Sequence, residues 1–241
     1  MNIYQPKVKK QKRKVNQNIP KHMDNPNSSY ERLTDWKIGK QTMWYITRED
    51  FEKMQRACLV KMQKAKEGSL TQFRWYRNYV LMMCGVNLGI RTTTLLELTP
   101  RNVNGGRVNI REHKTGKIYQ MTLRDNLRKL LEDYIDTYGF VRDEYMFRSS
   151  PSSSNKPLSR QSAYNFVTQL SREVGIKYNV GAYSLRKSFA RWLYDDTGDI
   201  FKVMRVLGHS SPVITARYIC LEEETVERLR GQIEYGFDKF V

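Results

Sequence analysis

Residues 183–218 decide how this chain is built. They contain Tyr183-Ser184-Leu185-Arg186-Lys187-Ser188-Phe189-Ala190, then Leu207-Gly208-His209-Ser210-Ser211, then Thr215-Ala216-Arg217-Tyr218. Read for periodicity, the stretch is helix after helix. Ser184 can cap a helix that turns Leu185, Phe189, Trp192 and Leu193 inward, because a serine oxygen accepts an orphan N–H of the first turn. Asp199 can cap a second, with Ile200, Val203, Met204 and Leu207 along one face and Gly208 ending it. Ser211-Pro212 opens a third, since a proline at the first helical position forfeits no helical hydrogen bond.

Towards the N-terminus the same reading continues. Ala163, Phe166, Val167, Leu170 and Val174 form an apolar stripe between Ser159 and Gly175, and Leu127, Leu130, Leu131, Tyr134 and Ile135 form another. The Ser/Pro/Asn-rich segment 149–157 between them reads as a loop. Val108 and Ile110 on one side of Lys114-Thr115-Gly116-Lys117, and Ile118 to Leu123 on the other, alternate as strands of an antiparallel hairpin do. Further helices are predicted over about 93–98, stopping before Pro100, and from about Thr71 through Phe73, Tyr76 and Val80 to Cys84, with Gly89 breaking the pattern. A last one starts at Thr47 as N-cap, with Phe51, Met54 and Cys58 on one face. The fold class expected is mainly α with a small antiparallel β-sheet (α+β).

Composition bounds the function. The 241 residues are 39% hydrophobic and 12% aromatic, enough for a normal core. Lys and Arg number 42 against 25 Asp and Glu, a formal charge of +17, which favours a polyanionic partner, nucleic acid being the usual one. The cysteines Cys58, Cys84 and Cys220 are odd in number and have no CxxC spacing, which argues against a disulfide scaffold or a zinc ribbon. No apolar run approaches the roughly 20 residues of a membrane span, and no signal-peptide core opens the chain. A cytoplasmic, nucleoid-associated protein with no membrane partner is expected. Residues 1–35 read as a disordered basic arm: Lys7, Lys9, Lys10, Lys12, Arg13, Lys14 and Lys21 precede the first acid, Asp24. Such an arm is either a solvated tail or a DNA contact, since phosphate contacts need charge but little structure.

Five polar residues stand out by order and context: Arg91 after Leu88-Gly89-Ile90, Lys114 at the hairpin turn, Arg186, His209 after Gly208, and Tyr218. The series resembles the tyrosine recombinases (phage integrases and their relatives) from about Thr47 onwards. Segments 184–190 and 207–211 are the specific ones; Arg91 in its Gly-Ile-Arg setting is less so, and the hairpin lysine is weak by itself. The resemblance implies a catalytic-domain fold over 36–225. It also implies site-specific cleavage and rejoining of double-stranded DNA through a 3′-phosphotyrosine at Tyr218, for integration, excision, inversion or resolution. The implied cofactors are none, with no metal and no ATP. The implied assembly is a homo-oligomer on DNA, a tetrameric synapse, with accessory proteins as further candidate partners.

The roles are chemically sensible. Attack on a phosphodiester builds negative charge on a five-coordinate phosphorus, and two guanidiniums meet it with bidentate donors. Arg91 and Arg186 are both expected at helix starts, where backbone N–H groups add to the effect. A phenol with a pKa of about 10 needs help to lose its proton. His209 can bind the phosphate or move that proton, and Lys114 can protonate the leaving 5′-oxygen. Lys117 competes for the lysine role. Lys187, beside Arg186, is expected to contact the DNA backbone.

Three departures from the family pattern qualify the resemblance. Tyr183 stands where a His or Lys is usual, and it cannot carry positive charge. Thr94 replaces an acid usual three residues after the first Arg, with Glu97 one turn further on, which is expected to loosen Arg91. The pattern begins near residue 47, with no room before it for the family's separate DNA-clamping domain. The chain thus resembles compact, catalytic-domain-only recombinases, or is a fragment, or relies on a partner. Residues 226–241, with Val226, Leu229, Ile233 and Phe237 in helical register, read as a C-terminal helix that packs on its own domain or docks on a neighbouring protomer. Rival readings are a DNA-binding regulator using 199–219 as helix-turn-helix, a type IB topoisomerase-like enzyme, and a catalytically weakened accessory protein.

Overall fold

The computed structural model describes residues 43–113 and 115–221. The expected arm 1–35, with Lys9, Lys10, Lys12, Arg13 and Lys14, the tail 226–241, and Lys114 lie outside the described residues. The helices are α1 (Arg48–Lys64), α2 (Leu70–Leu88), α3 (Thr92–Leu96), α4 (Asp125–Tyr138), α5 (Arg160–Glu173), α6 (Ala182–Thr197), α7 (Ile200–Leu207) and α8 (Pro212–Tyr218). A kinked 3-10 segment, Pro100–Gly106, leads into strands β1 (Arg107–Arg111) and β2 (Ile118–Thr122), which pair antiparallel with Val108 opposite Met121 and Ile110 opposite Tyr119. The expected mainly helical architecture with one small sheet is what forms.

Helix starts follow the capping chemistry of the sequence. Thr47 accepts from Asp50 N–H, Ser69 from Gln72 N–H, Ser159 from Ser162 N–H, Asp199 from Phe201 and Lys202 N–H, and Ser211 from Val213 N–H. One expectation fails. Helix α6 begins at Ala182, with Gly181 as the cap; the Gly181 N–H donates to Ser184 Oγ at 3.1 Å. Ser184 is therefore the third helical residue, and its hydroxyl closes the helix start from inside.

Helix α2 is the axis of the body, packed by α1, α4 and α6. It is buried on nearly every side, through Phe73, Val80, Leu81, Met82, Cys84, Val86 and Leu88, so its apolar residues do not segregate to one face. Around its first half, Phe73, Tyr76, Tyr134, Tyr138 and Phe140 form an aromatic cluster of edge-to-face, tilted and stacked pairs with centroids 4.8–6.5 Å apart. The Tyr134 hydroxyl donates to Met146 O at 2.8 Å, so the polar end of that ring is satisfied inside the core. This main core runs from Ile46 to Leu185. A second, much smaller core of Ala190, Val203, Leu207 and Ile219 holds α7 and α8 to the end of α6.

Candidate active site

Arg186 is the centre of the site. It is 3% exposed; its Nη1 donates to Gly89 O at 2.8 Å and to Tyr119 Oη at 3.4 Å, and its Nη2 donates to Leu207 O at 2.9 Å. One guanidinium thus joins the end of α2, strand β2 and the end of α7. Two glycines make this possible. Gly89 ends α2 at φ +59°, and a Cβ there would lie 2.2 Å from the Phe189 ring. Gly208 ends α7 at φ +71° beside Lys117 Nζ; at Gly89 both the conformation and the space call for glycine, and at Gly208 the conformation does. The expected helix-start position of Arg186 is corrected: with α6 starting at Ala182, Arg186 sits in the second turn, and carbonyls at the C-terminal ends of α2 and α7, rather than the start of its own helix, orient it. Arg91 does stand at a helix start, as the N-cap of the five-residue α3.

Arg91 Nη1 pairs with Glu112 Oε2. Glu112 is 1% exposed, whereas the Arg91 side chain is 29% exposed. The carboxylate also accepts from Thr94 Oγ1 at 3.4 Å and from Thr115 Oγ1. Glu97, the acid nearest in sequence, instead faces His113 Nε2 at 3.5 Å. Neither Glu112 nor Tyr119 was singled out from the sequence. The register could have found both, since Val108, Ile110 and Glu112 alternate inward and Tyr119 pairs with Ile110.

Lys117 Nζ donates to Val206 O at 3.1 Å and Arg205 O at 3.4 Å, and lies 4.8 Å from the centroid of the Tyr119 ring. The hairpin thereby caps the C-terminal end of α7, where a cation is favoured, directly before His209. Burial foremost, then the Arg186, Arg91 and Lys117 charges, hold His209 below its usual 6.5, so the ring is neutral at pH 7. Thr215 Oγ1 gives its proton to Ser211 O at 3.2 Å and lies 3.1 Å from His209 Nδ1. That network assigns the remaining proton to Nδ1 and leaves Nε2 with a free lone pair.

Tyr218 ends α8 among aromatic edges: His209 at 5.0 Å and Tyr183 at 5.6 Å between centroids, both roughly perpendicular. Its hydroxyl oxygen is buried and meets no partner at full hydrogen-bonding geometry among the described residues, although the Tyr183 hydroxyl and the Arg186 guanidinium lie near enough to act on its ionisation. Burial, then Tyr183, push its pKa well above 10, with Arg186 pulling the other way. Burial would also raise Tyr119, but the Arg186 hydrogen bond and charge, aided by Lys117 and Arg91, bring it below 10. Lys187, expected to contact the DNA backbone, is largely buried. It is 8% exposed, donates from Nζ to Met43 O at 2.7 Å, and lies 5.5 Å from the centroid of the Tyr218 ring. In this arrangement its ammonium faces inward from α6, towards Met43 O and the Tyr218 ring.

Arg91, Arg186, Lys117, His209, Tyr183 and Tyr218 thus converge from α2–α3, the hairpin, α6, α7 and α8. Among the described residues no cluster of His, Cys, Asp and Glu could hold a metal ion, and no helix is long and apolar enough to cross a membrane.

Comparison with known proteins agrees with this arrangement. The profile of the Phage integrase family matches residues 52–225. A probable integrase/recombinase, YoeC, of Bacillus subtilis is 33% identical over 168 residues, 69% of this chain and 89% of the relative. Tyrosine recombinase XerD of Staphylococcus aureus is 26% identical over 169 residues, 68% of this chain and 56% of XerD. In fold, the chain resembles XerA recombinase (TM-score 0.60, 20% identity, 82% of this chain and 66% of that one). It also resembles XerH site-specific recombinase in a post-cleavage complex (TM-score 0.61, 21% identity, 77% of this chain and 51% of that one). The chain thus spans about half the length of XerD and XerH. With its two arginines, its histidine and its terminal-helix tyrosine gathered at one site, it belongs to the phage integrase, or tyrosine recombinase, family.

Proposed function

We propose that this protein is a site-specific DNA recombinase in which Tyr218 is the nucleophile. The observation that carries the reading is the convergence on one point of two guanidiniums, a neutral histidine and a phenol. That set has little structural purpose together, because it concentrates positive charge. It suits a phosphodiester whose charge grows on the way to a five-coordinate transition state.

In the reaction, Tyr218 Oη bonds to phosphorus as the bond to the 5′-oxygen breaks. The phenolic proton leaves Oη, and the 5′-oxygen departs as a hydroxyl after gaining one. His209 Nε2, with its lone pair free, is placed to take the first proton or to bind a phosphate oxygen. A hairpin lysine, Lys114 or Lys117, gives the second. Arg91 and Arg186 bind the non-bridging oxygens, and Tyr183 packs the nucleophile's ring. The ester conserves the energy of the broken bond, so attack by another 5′-hydroxyl reverses the step without ATP. Because Tyr218 Oη is buried, α8 must shift before the oxygen can line up with a phosphate. XerH and lambda integrase are described as bound to their DNA sites, lambda integrase also as a tetramer on a Holliday junction. We extend to this chain double-stranded DNA as partner, a homo-oligomer on that DNA, and a cytoplasmic, nucleoid-associated location, with accessory proteins as further partners. The basic arm, through Lys9, Lys10, Lys12, Arg13 and Lys14, adds salt-sensitive phosphate contacts.

The test is covalent capture. A pool of nicked duplexes of randomised sequence is incubated with the protein, and SDS-resistant protein–DNA adducts are recovered and sequenced. Wild type should yield an adduct enriched for one site, with the DNA on Tyr218, and Tyr218→Phe should yield none. An adduct that survives this substitution overturns the assignment. Adducts without sequence enrichment would point to a topoisomerase-like enzyme instead.

A further inference from the structure

Glu112 is a buried carboxylate that the reaction above does not use. Taking such a charge out of water is costly unless it is paired and hydrogen-bonded. Here it is both, and its partners come from different elements: Arg91 before α3, Thr94 within α3, and Thr115 in the hairpin turn. Its backbone closes the same turn, since Glu112 N–H donates to Lys117 O and Gly116 N–H donates to Glu112 O, both at 2.8 Å. One residue therefore fixes the turn that leads to Lys117 and, through its side chain, the orientation of a phosphate-binding arginine.

We infer that Glu112 is a positioning residue that locks Arg91 and the hairpin turn into one unit, supplying from β1 the negative charge that Thr94 does not supply from α3. This rests on the recombinase reading of the site. The geometry makes the inference specific. Thr94 Oγ1 is 3.4 Å from Glu112 Oε1, and Thr94 is buried. A carboxylate at position 94 would enter the same pocket as the one it replaces. The two positions should thus be interchangeable carriers of a single charge, and each should be harmful when the pocket holds two charges or none.

The experiment compares wild type, Glu112→Gln, Thr94→Asp and the double variant for the rate of adduct formation on the nicked site selected above, at one salt concentration. Glu112→Gln keeps the shape and removes the charge. It should slow adduct formation ~10²-fold, the scale of a misplaced catalytic group, while DNA affinity changes by less than about threefold. Thr94→Asp should also slow the reaction, because two carboxylates then share one buried pocket. The double variant should be faster than either single one, within about fivefold of wild type. A purely structural Glu112 would lower thermal stability in Glu112→Gln and leave the rate per folded molecule unchanged. Wild-type rates in Glu112→Gln, or a folded double variant no faster than Glu112→Gln, overturn the inference. If Glu112→Gln does not fold, Glu112→Asp, which withdraws the charge by one methylene, enters the same comparison. Failure of wild type to form any adduct would count against the recombinase reading alone. Amide exchange then decides the inference: Gly116 and Leu95 should lose protection together in Glu112→Gln, and unchanged protection at both overturns it.

Discussion

The arginine half and the tyrosine half of the site are built differently. Arg186 is held by two backbone carbonyls and a phenol, and Arg91 by a buried carboxylate, all against a core that runs from Ile46 to Leu185. The tyrosine half rests on four fully buried apolar residues, Ala190, Val203, Leu207 and Ile219. Its outer face leaves Phe201 57% and Val213 64% exposed, with Val206 and Ile214 also open. The contrast matches the chemistry. Donors that meet developing charge work best when already fixed, so that nothing has to reorganise at the moment of reaction. A nucleophile whose oxygen is buried has to travel, and elements with few buried contacts open at low free-energy cost.

The largest expected effect breaks the contrast most directly. Arg186→Ala should slow adduct formation at least ~10³-fold, by loss of preorganised donors. It should also destabilise the fold by about 1–3 kcal/mol, because the Gly89 and Leu207 carbonyls lose their partner. Tyr218→Phe should abolish adduct formation yet change stability by less than about 1 kcal/mol, since its hydroxyl meets no partner at full hydrogen-bonding geometry among the described residues. Equal denaturant midpoints for both variants would mean that the two halves are not anchored differently.

A smaller effect sharpens it. Leu81→Ala in the main core and Leu207→Ala in the small one should each cost about 2–5 kcal/mol, with Leu207→Ala at the low end. Exchange should differ in kind: Leu207→Ala should unprotect amides of α7 and α8 alone, whereas Leu81→Ala should lower protection throughout. Uniform loss in both would make the domain a single cooperative unit.

Smaller again is the link between the halves. Lys117→Met should weaken the end of α7 by about 0.5 kcal/mol, the scale of a cation at a helix C-terminus, seen as faster exchange at Gly208 and His209. The smallest effect is a titration. The His209 ring, followed by NMR, should titrate below 6.5, and Arg91→Gln should move it upward, since the Arg91 charge helps depress it. The sign for stability follows. The unfolded chain takes up this proton first, so the contribution is present above pH 6.5 and is lost as pH falls through the folded value.

The difference between the halves also marks how far the sequence could be read. Caps at Thr47, Ser159, Asp199 and Ser211, the stripes of α4, α5 and α7, and the alternation of the hairpin are local patterns, visible in single segments. The order of Arg91, Arg186, His209 and Tyr218 in their local contexts was legible for the same reason. Side-chain direction is not a local pattern of this kind. Lys187 was expected at the DNA backbone from its place beside Arg186, and one step past Arg186 on α6 its ammonium points to Met43 O. The α6 start was misplaced because Ser184 can cap from either side of the helix boundary, and only Gly181 N–H, reaching back to it, decides.

By itself, then, the sequence determined the helical class, the hairpin and the identity of residues that gather at the candidate site, because these depend on spacing along one chain. Tertiary structure alone decided what orients them: Glu112 rather than Glu97 beside Arg91, carbonyls at the C-terminal ends of α2 and α7 rather than the start of its own helix around Arg186, and Lys117 against the last turn of α7. The physical reason is that a buried charge takes whatever partner packing brings within hydrogen-bonding distance, and separation in sequence sets no limit on which partner that is.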